Sequence, residues 1–431
     1  MILYLYRGFF ILGMPLIRIY LYFRKLYGKE DVHRFNERLG YSSHIRPIGP
    51  LIWVHAASVG ESLSLLPLIK RLSEEDRGIN ILVTTGTVTS ARLMSERLPE
   101  GSIHQFVPID HILFVRRFLD HWRPDLALWA ESEFWPNMIT EIAGRKIKMV
   151  LINGRVSPKS FSSWQKFDSL IKALLSCFDL CLGQSDDDVW RLRKMGAKAV
   201  KCVGNLKFSG MPLPVNQAEL IEMTKKIDNR PVWLAASTHA GEEEITVQVH
   251  QRLKTSITDL LTIIVPRDPK RGGKIAAQIR RQGFCVALRS SGDPIVSETE
   301  VYVADTMGEM GLFLRVVSIV FIGKSLVPLG GQNPLEAARL NCAIVHGPYM
   351  MNFEDISLRL EKAQAALQVI DKDDLFNSIK KLLEDNLYCE NIAAKAKAFV
   401  VNETGVLDSV VTELKPFIDH IKNKDNLRAN A

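Results

Sequence analysis

Cysteine is scarce: six in 431 residues, scattered from Cys177 to Cys389. That is too few for the disulfide framework of a small secreted fold. The nearest pair, Cys177 and Cys181, lies where a helix runs into a strand and reads as buried free thiols in a reducing compartment. Long hydrophobic runs are missing too. Only the N-terminus is apolar enough for a membrane, which excludes a multi-span transporter. There is no internal repeat, low-complexity tract, GxGxxG fingerprint or Walker loop. No His or Asp flanks the acids Glu131 and Glu133 to complete a metal set, so no catalytic metal and no cofactor is expected. An apolar share of 47% and a charged share of 24% exclude a disordered or collagen-like chain, and the length suits two or three domains.

Acids are sparse at the N-terminus. Residues 1–50 hold eight Lys and Arg against three acids, so +5 of the net +7 lies there. A nucleic-acid binder would spread its basic surface more widely, so no nucleic-acid partner is expected. A basic end beside an apolar segment points to an anionic membrane surface. Residues 1–23 read MILYLYRGFFILGMPLIRIYLYF, and no small-residue cleavage site follows. The uncharged run from Gly8 to Ile17 is ten residues, against the roughly 20 a span needs. Arg7, Arg18 and Lys25 fall on nearly one helical face, which predicts a helix lying in the interface. A single span and a buried helix are the alternatives, and Pro15 would kink any of them. If the segment spans, Arg24, Lys25 and Lys29 keep the rest in the cytoplasm.

From residue 50, apolar runs alternate with helical stretches. The first series is 51–58, 79–87, 126–132, 148–154 and 179–185; the second is 231–238, 260–266, 301–306, 318–325 and 342–347. This rhythm predicts βαβ units and two parallel sheets covered on both faces. The fold class is α/β, with two doubly wound Rossmann-like domains facing across a cleft. The expected division is an anchor helix over 1–28, a domain over 29–212, a proline-bearing linker over 213–230, a second domain over 231–422 and a polar tail over 423–431.

The informative residues cluster at strand ends. In HAASVGE (55–61) a strand ends at Ser58, Gly60 makes a turn and Glu61 opens a helix. Such a carboxylate is suitably placed for a general base, or is an ordinary dipole-favoured glutamate. In LWAESEFWPN (128–137), Glu131 and Glu133 share a side of extended chain and read as paired acids or sugar-hydroxyl acceptors. Arg155 in NGRVSPKS and Lys207 in GNLKF suit phosphates or neighbouring carboxylates. In ASTHAGEEE (236–244), Ser237, Thr238 and Gly241 suit a phosphate-cradling turn, with His239 a bonded loop residue or a catalyst. Arg267 leaves its strand for the cleft. In FIGKSLVPLGGQNPLEAA (321–338) a glycine pair precedes Asn333 and Pro334, which open a helix whose free N–H groups favour a phosphate. Glu336, one turn in, is placed for ribose hydroxyls.

SVGE, WAESEFWPN, NGRVSxxS, GNLKF, ASTHAGEEE, VPR, DTMGEM and GGQNPLEAA follow in one order over residues 50–355. With the N-terminal anchor, this series closely resembles the Kdo (3-deoxy-D-manno-octulosonic acid) transferases, glycosyltransferases of GT-B architecture, over nearly the whole chain. The resemblance implies inverting transfer of Kdo from CMP-Kdo to the lipid A precursor at the cytoplasmic face of the inner membrane. It makes Glu61 the general base. It assigns CMP-Kdo contacts to Ser237, Thr238, Arg267, Lys324, Ser325, Gly331 and Asn333, with Gly308, Glu309 and Met310 toward cytosine and Glu336 toward ribose. Ser58, Gly60, Glu131, Arg155 and Lys207 face the acceptor or the Kdo unit. The resemblance also implies His where Gln332 stands; glutamine can donate a hydrogen bond but carries no charge.

Overall fold

The computed structural model of the chain describes residues 2–429 apart from Arg77, Met211 and Thr404, with Ile2, Tyr4 and 425–429 described by backbone alone. Its contacts divide it into two units: Met1–Gly210 with Thr404–Ala431, and Met211–Glu403.

The first unit holds a parallel sheet of seven strands: β1 (Leu51–Ala56), β2 (Asn80–Thr85), β3 (Ile103–Phe106), β4 (Leu126–Ala130), β5 (Lys148–Gly154), β6 (Leu180–Gly183) and β7 (Val200–Cys202). Their order is β3-β2-β1-β4-β5-β6-β7, so the winding reverses between β1 and β4. Every residue of β1 is buried, because helices cover both faces of the sheet. Ile52 and Val54 join Leu65 and Leu68 in the core on one face. Trp53 joins Phe118, Trp122 and Trp129 on the other, its indole donating to Thr84 Oγ1 at 2.8 Å.

The second unit repeats the plan with β8 (Val232–Thr238), β9 (Leu261–Pro266), β10 (Val286–Leu288), β11 (Val301–Val303), β12 (Ile319–Ile322), β13 (Ala343–His346) and β14 (Ala366–Gln368). The order β10-β11-β9-β8-β12-β13-β14 reverses between β8 and β12. In doubly wound sheets ligands bind outside the carboxyl ends of the strands at such reversals.

All ten runs expected as strands are strands. The four not foreseen, β3, β7, β10 and β14, are three or four residues long and lie on the outer parts of the sheets. The domain limits differ from expectation at two places. Residues 213–230 are not a bare linker: Gln217–Ile227 is a helix that buries Met223 and Ile227 in the second unit. The second domain does not run on to residue 422. The helix Val406–Ala429 packs Val406, Val410, Leu414 and Ile421 into the core of the first unit, beside Leu65 and Leu72. Helical periodicity shows a stripe but not which sheet it covers.

The N-terminus differs as well. It forms two helices, Ile2–Leu12 and Met14–Leu26, joined at Gly13, with Pro15 in the first turn of the second rather than inside one long helix. Arg7 does not share an outward face with Arg18. It donates to Asn137 Oδ1 at 3.1 Å and Thr140 Oγ1 at 3.2 Å, and pairs with Glu141 at 3.5 Å. No described helix is long and apolar enough to cross a membrane.

Candidate active site

In the first unit the site begins where β1 gives way to the helix Val59–Glu75. Ser58 caps that helix, its Oγ accepting from Glu61 N at 3.3 Å, and Gly60 sits within the first turn rather than in a turn before it. The Glu61 side chain folds back over the cap. Its Oε1 accepts from Ser58 Oγ and its Oε2 from Ala57 N, each at 2.8 Å. It is only 9% exposed. Burial first, and the charge of Glu131 second, push its pKa up to about 7 against the pull of those two hydrogen bonds.

Glu131 follows β4, the neighbour of β1 across the reversal. Its φ of +52° is left-handed, and its carboxylate pairs with Lys207 at 3.2 Å. The two acids expected to share a side both act on Glu61 but take different partners. Glu133 instead accepts from the Trp135 indole at 2.8 Å. Asn153, at the end of β5, was not singled out from the sequence. It is buried, left-handed at φ +53°, and its Oδ1 holds Leu206 N at 2.9 Å, fixing the turn that delivers Lys207. Asparagine before glycine at a strand end is the signal that marks it. Arg155, two residues further on, lies near Asp188, whose pKa burial raises against the Ser185 and Val156 hydrogen bonds and the charges of Arg191 and Arg155.

In the second unit the carboxyl ends of β9, β8 and β12, adjacent in that order, bring together Arg267, Ser237 and Lys324. Ser237 and Lys324 are again left-handed, at φ +57° and +64°. Arg267 is exposed and tied by its N–H to Thr238 O at 3.0 Å. Two residues expected to touch the donor have side chains engaged inside the protein. Thr238, fully buried, donates to Glu243 Oε1 at 3.0 Å, and Glu243 is held in a fork by Arg271 at 2.8 and 3.1 Å. Ser325, also fully buried, donates to Ile322 O and accepts from Gly347 N at 2.7 Å.

The side chain that organises this loop, unnoticed in the sequence, is Glu242. Its carboxylate, fully buried, accepts four backbone N–H groups: His239 at 2.9 Å, Lys324 at 2.6 Å, and Ser325 and Leu326 at 3.0 Å. Burial raises its pKa and the four donors oppose the rise. Read alone, GEEE is a run of acids at a helix start; the four donors appear only once the end of β12 folds over it. Close backbone approach completes the seat. A side chain at Gly347 would run into the Ser325 carbonyl, and one at Gly323 would lie 2.6 Å from Ser237 O.

Gly331 N donates to Lys324 O at 2.8 Å, which joins the glycine pair to this loop. The helix after Asn333 and Pro334 is only five residues, Leu335–Arg339, and Glu336 on it is half-buried. Gly308 is exposed and left-handed after β11, while the Glu309 carboxylate is engaged by Arg289 Nε at 3.0 Å, leaving the backbone of 308–310 as the presenting group. Among the described residues no three His, Cys, Asp or Glu side chains gather as a metal set.

Two Rossmann-like units, each with polar groups at the reversal of its parallel sheet, define an α/β protein of the GT-B class. The fold is shared with a putative UDP-N-acetylglucosamine 2-epimerase from Listeria monocytogenes, at a TM-score of 0.60 and 11% identity over 86% of this chain and 97% of that one. Residues 33–210 match the family described as 3-Deoxy-D-manno-octulosonic-acid transferase (kdotransferase). The 3-deoxy-D-manno-octulosonic acid transferase of Rickettsia bellii is 36% identical over 417 residues, 96% of this chain and 99% of that one. Its namesake from Haemophilus influenzae is 29% identical over 96% and 99%. The chain belongs to the 3-deoxy-D-manno-octulosonic acid transferase family, and is a glycosyltransferase that transfers Kdo.

Proposed function

We propose that the chain transfers Kdo from CMP-Kdo to a hydroxyl of the acylated lipid A precursor, with inversion, and that Glu61 is the general base. The observation that carries this reading is the Glu61 carboxylate: buried at a sheet reversal, held by Ser58 and Ala57, and tuned to about 7 beside Glu131. A base whose pKa lies near the working pH combines availability with proton affinity. Glu61 takes the proton of the acceptor hydroxyl as that oxygen bonds to the anomeric carbon. The bond from that carbon to the CMP oxygen breaks, and CMP leaves with the electron pair. A phosphate is already a good anion, so positive charge and N–H groups suffice to receive it. Arg267, Lys324, Ser237, Gly331 and Asn333 take this part, with backbone of 308–310 at cytosine and Glu336 at ribose. Ser58, Gly60, Glu131, Arg155 and Lys207 serve the acceptor or the Kdo unit. No metal enters the scheme. The basic, apolar N-terminal helices seat the protein on the cytoplasmic face of the inner membrane.

The test mixes purified protein in mild detergent with CMP-Kdo and tetra-acylated precursor, and weighs the lipid by mass spectrometry. A gain of one or more Kdo masses is expected. Glu61→Gln is expected to cut turnover at least about a hundredfold while CMP-Kdo still binds. An unchanged rate in that variant overturns the base assignment, and an unchanged lipid mass overturns the acceptor.

A further inference from the structure

A groove of about 710 Å³ lies in the first unit. One wall is the N-terminal helix, through Leu5 and Phe9. Trp164, Leu170, Phe134 and Trp135 also line the groove. Two charged side chains also border it, and both are engaged by the protein. Asp110 accepts from Tyr6 Oη at 2.9 Å and from Asn137 N and Met138 N at 3.0 and 2.8 Å. Arg38 donates to Glu30 at 2.9 Å and to Val107 O at 3.1 Å. The groove therefore offers an occupant mainly apolar surface, and its two charged side chains are already engaged. A peptide would bring N–H and C=O groups that need partners; an alkyl chain brings none.

Three observations identify the occupant. The groove opens onto an exposed apolar face: Leu5 and Phe9 are 66% and 73% exposed, and Leu12 and Leu16 beyond them 85% and 72%. Exposed cations, Arg18 and Lys29 on the N-terminal segment and Lys166 beside the groove residue Phe167, suit an anionic headgroup. Trp135 relates the groove to the base. The Trp135 ring lies 5.3 Å from that of His55 on β1, and two residues on from His55, Ala57 N holds Glu61 at 2.8 Å. The same short segment carries Glu131 and Glu133 beside Glu61 and then Phe134 and Trp135 into the groove.

We propose that this groove takes one acyl chain of the lipid acceptor and so sets the depth at which its sugar reaches Glu61. The inference rests on the lipid-acceptor reading above. The test uses a tetra-acylated glucosamine disaccharide bisphosphate with a diazirine at the end of one chain. Photolysis with the full-length protein in mild detergent is followed by peptide mapping, and Kdo transfer to the same lipid is weighed in the dark. Expected adducts fall on the segments 5–10, 134–136 and 164–170. Leu170→Trp, which narrows the groove, is expected to remove most of them and to raise KM for the acylated acceptor about tenfold, leaving KM for CMP-Kdo and the melting temperature unchanged. Adducts confined to Leu12, Leu16 and Leu26, a groove label that survives Leu170→Trp, or a second copy of the chain cross-linked in the groove each overturn the proposal. Absence of Kdo transfer in the dark instead overturns the acceptor reading on which it rests.

Discussion

Glu61 is held by groups that pull its proton affinity in opposite directions. Burial and Glu131 raise it, and the Ser58 hydroxyl and Ala57 N–H lower it. The acid limb of kcat/KM is therefore expected to rise through a midpoint near pH 7. Glu131→Gln removes a neighbouring negative charge, so the midpoint should fall by about one unit; Lys207→Met should move it up. A pH–rate profile of the three proteins checks both signs. The same shift affects stability. Folded Glu61 binds its proton more tightly than the unfolded residue, so ionising it as pH rises from about 4.5 to 7 destabilises the fold. Glu61→Gln should gain stability relative to the parent between pH 5 and pH 8, read by denaturant midpoints. Glu242 has a different part. A carboxamide there would turn an NH2 toward N–H donors, so Glu242→Gln should raise KM for CMP-Kdo at least about tenfold with KM for the acceptor unchanged. Equal effects on both would sink that positioning role. Glu61 was legible because a strand end, a cap and a helix start are local signals. Glu242 and Asn153 were not, because their partners lie at 324–326 and 206.

At the scale of elements, the strands were legible where apolar runs alternate with helical stretches and are buried on both faces. β10 and β14 are three-residue pieces such as VAL and ALQ, too short to show a period. Contacts between elements were not legible. The meeting of β13 with the loop after β12 depends on Gly347, which sequence pattern presents as one more strand-end glycine. Gly347→Ala is expected to cost roughly 1–3 kcal/mol, as overpacking does, and to weaken CMP-Kdo binding by displacing Ser325 and Leu326. Calorimetry and donor titration read the two effects; normal donor affinity would show that the loop does not form the seat. The helix Val406–Ala429 makes a further prediction. Ending the chain at 403 uncovers Leu65, Leu68 and Leu72, so the first unit should melt earlier and the second should not. Limited proteolysis during heating distinguishes them.

At the scale of the molecule, the two-sheet plan was legible from the rhythm of the runs, and the family from motifs in register. The allocation of the last helix was not, since an apolar stripe fits either unit. The charge distribution gives a prediction of its own. With +5 in residues 1–50 beside exposed leucines and aromatics, binding to anionic vesicles should exceed binding to neutral ones by about tenfold. Raising salt from 0.1 to 1 M shortens the screening length from about 10 to 3 Å and should remove that preference, leaving the apolar part. Cosedimentation indifferent to lipid charge and salt would contradict it. The returning helix also sets an order of events during synthesis. The first unit is made first but lacks Val406, Val410, Leu414 and Ile421 until all of 211–403 has been translated. At roughly 5–20 residues per second, that leaves the nascent sheet with an open flank for some tens of seconds. Its apolar N-terminal helices have by then left the ribosome. The order of translation makes closure of that domain one of the last folding steps, and under the membrane seating proposed above it lets the chain meet lipid before its first domain is complete.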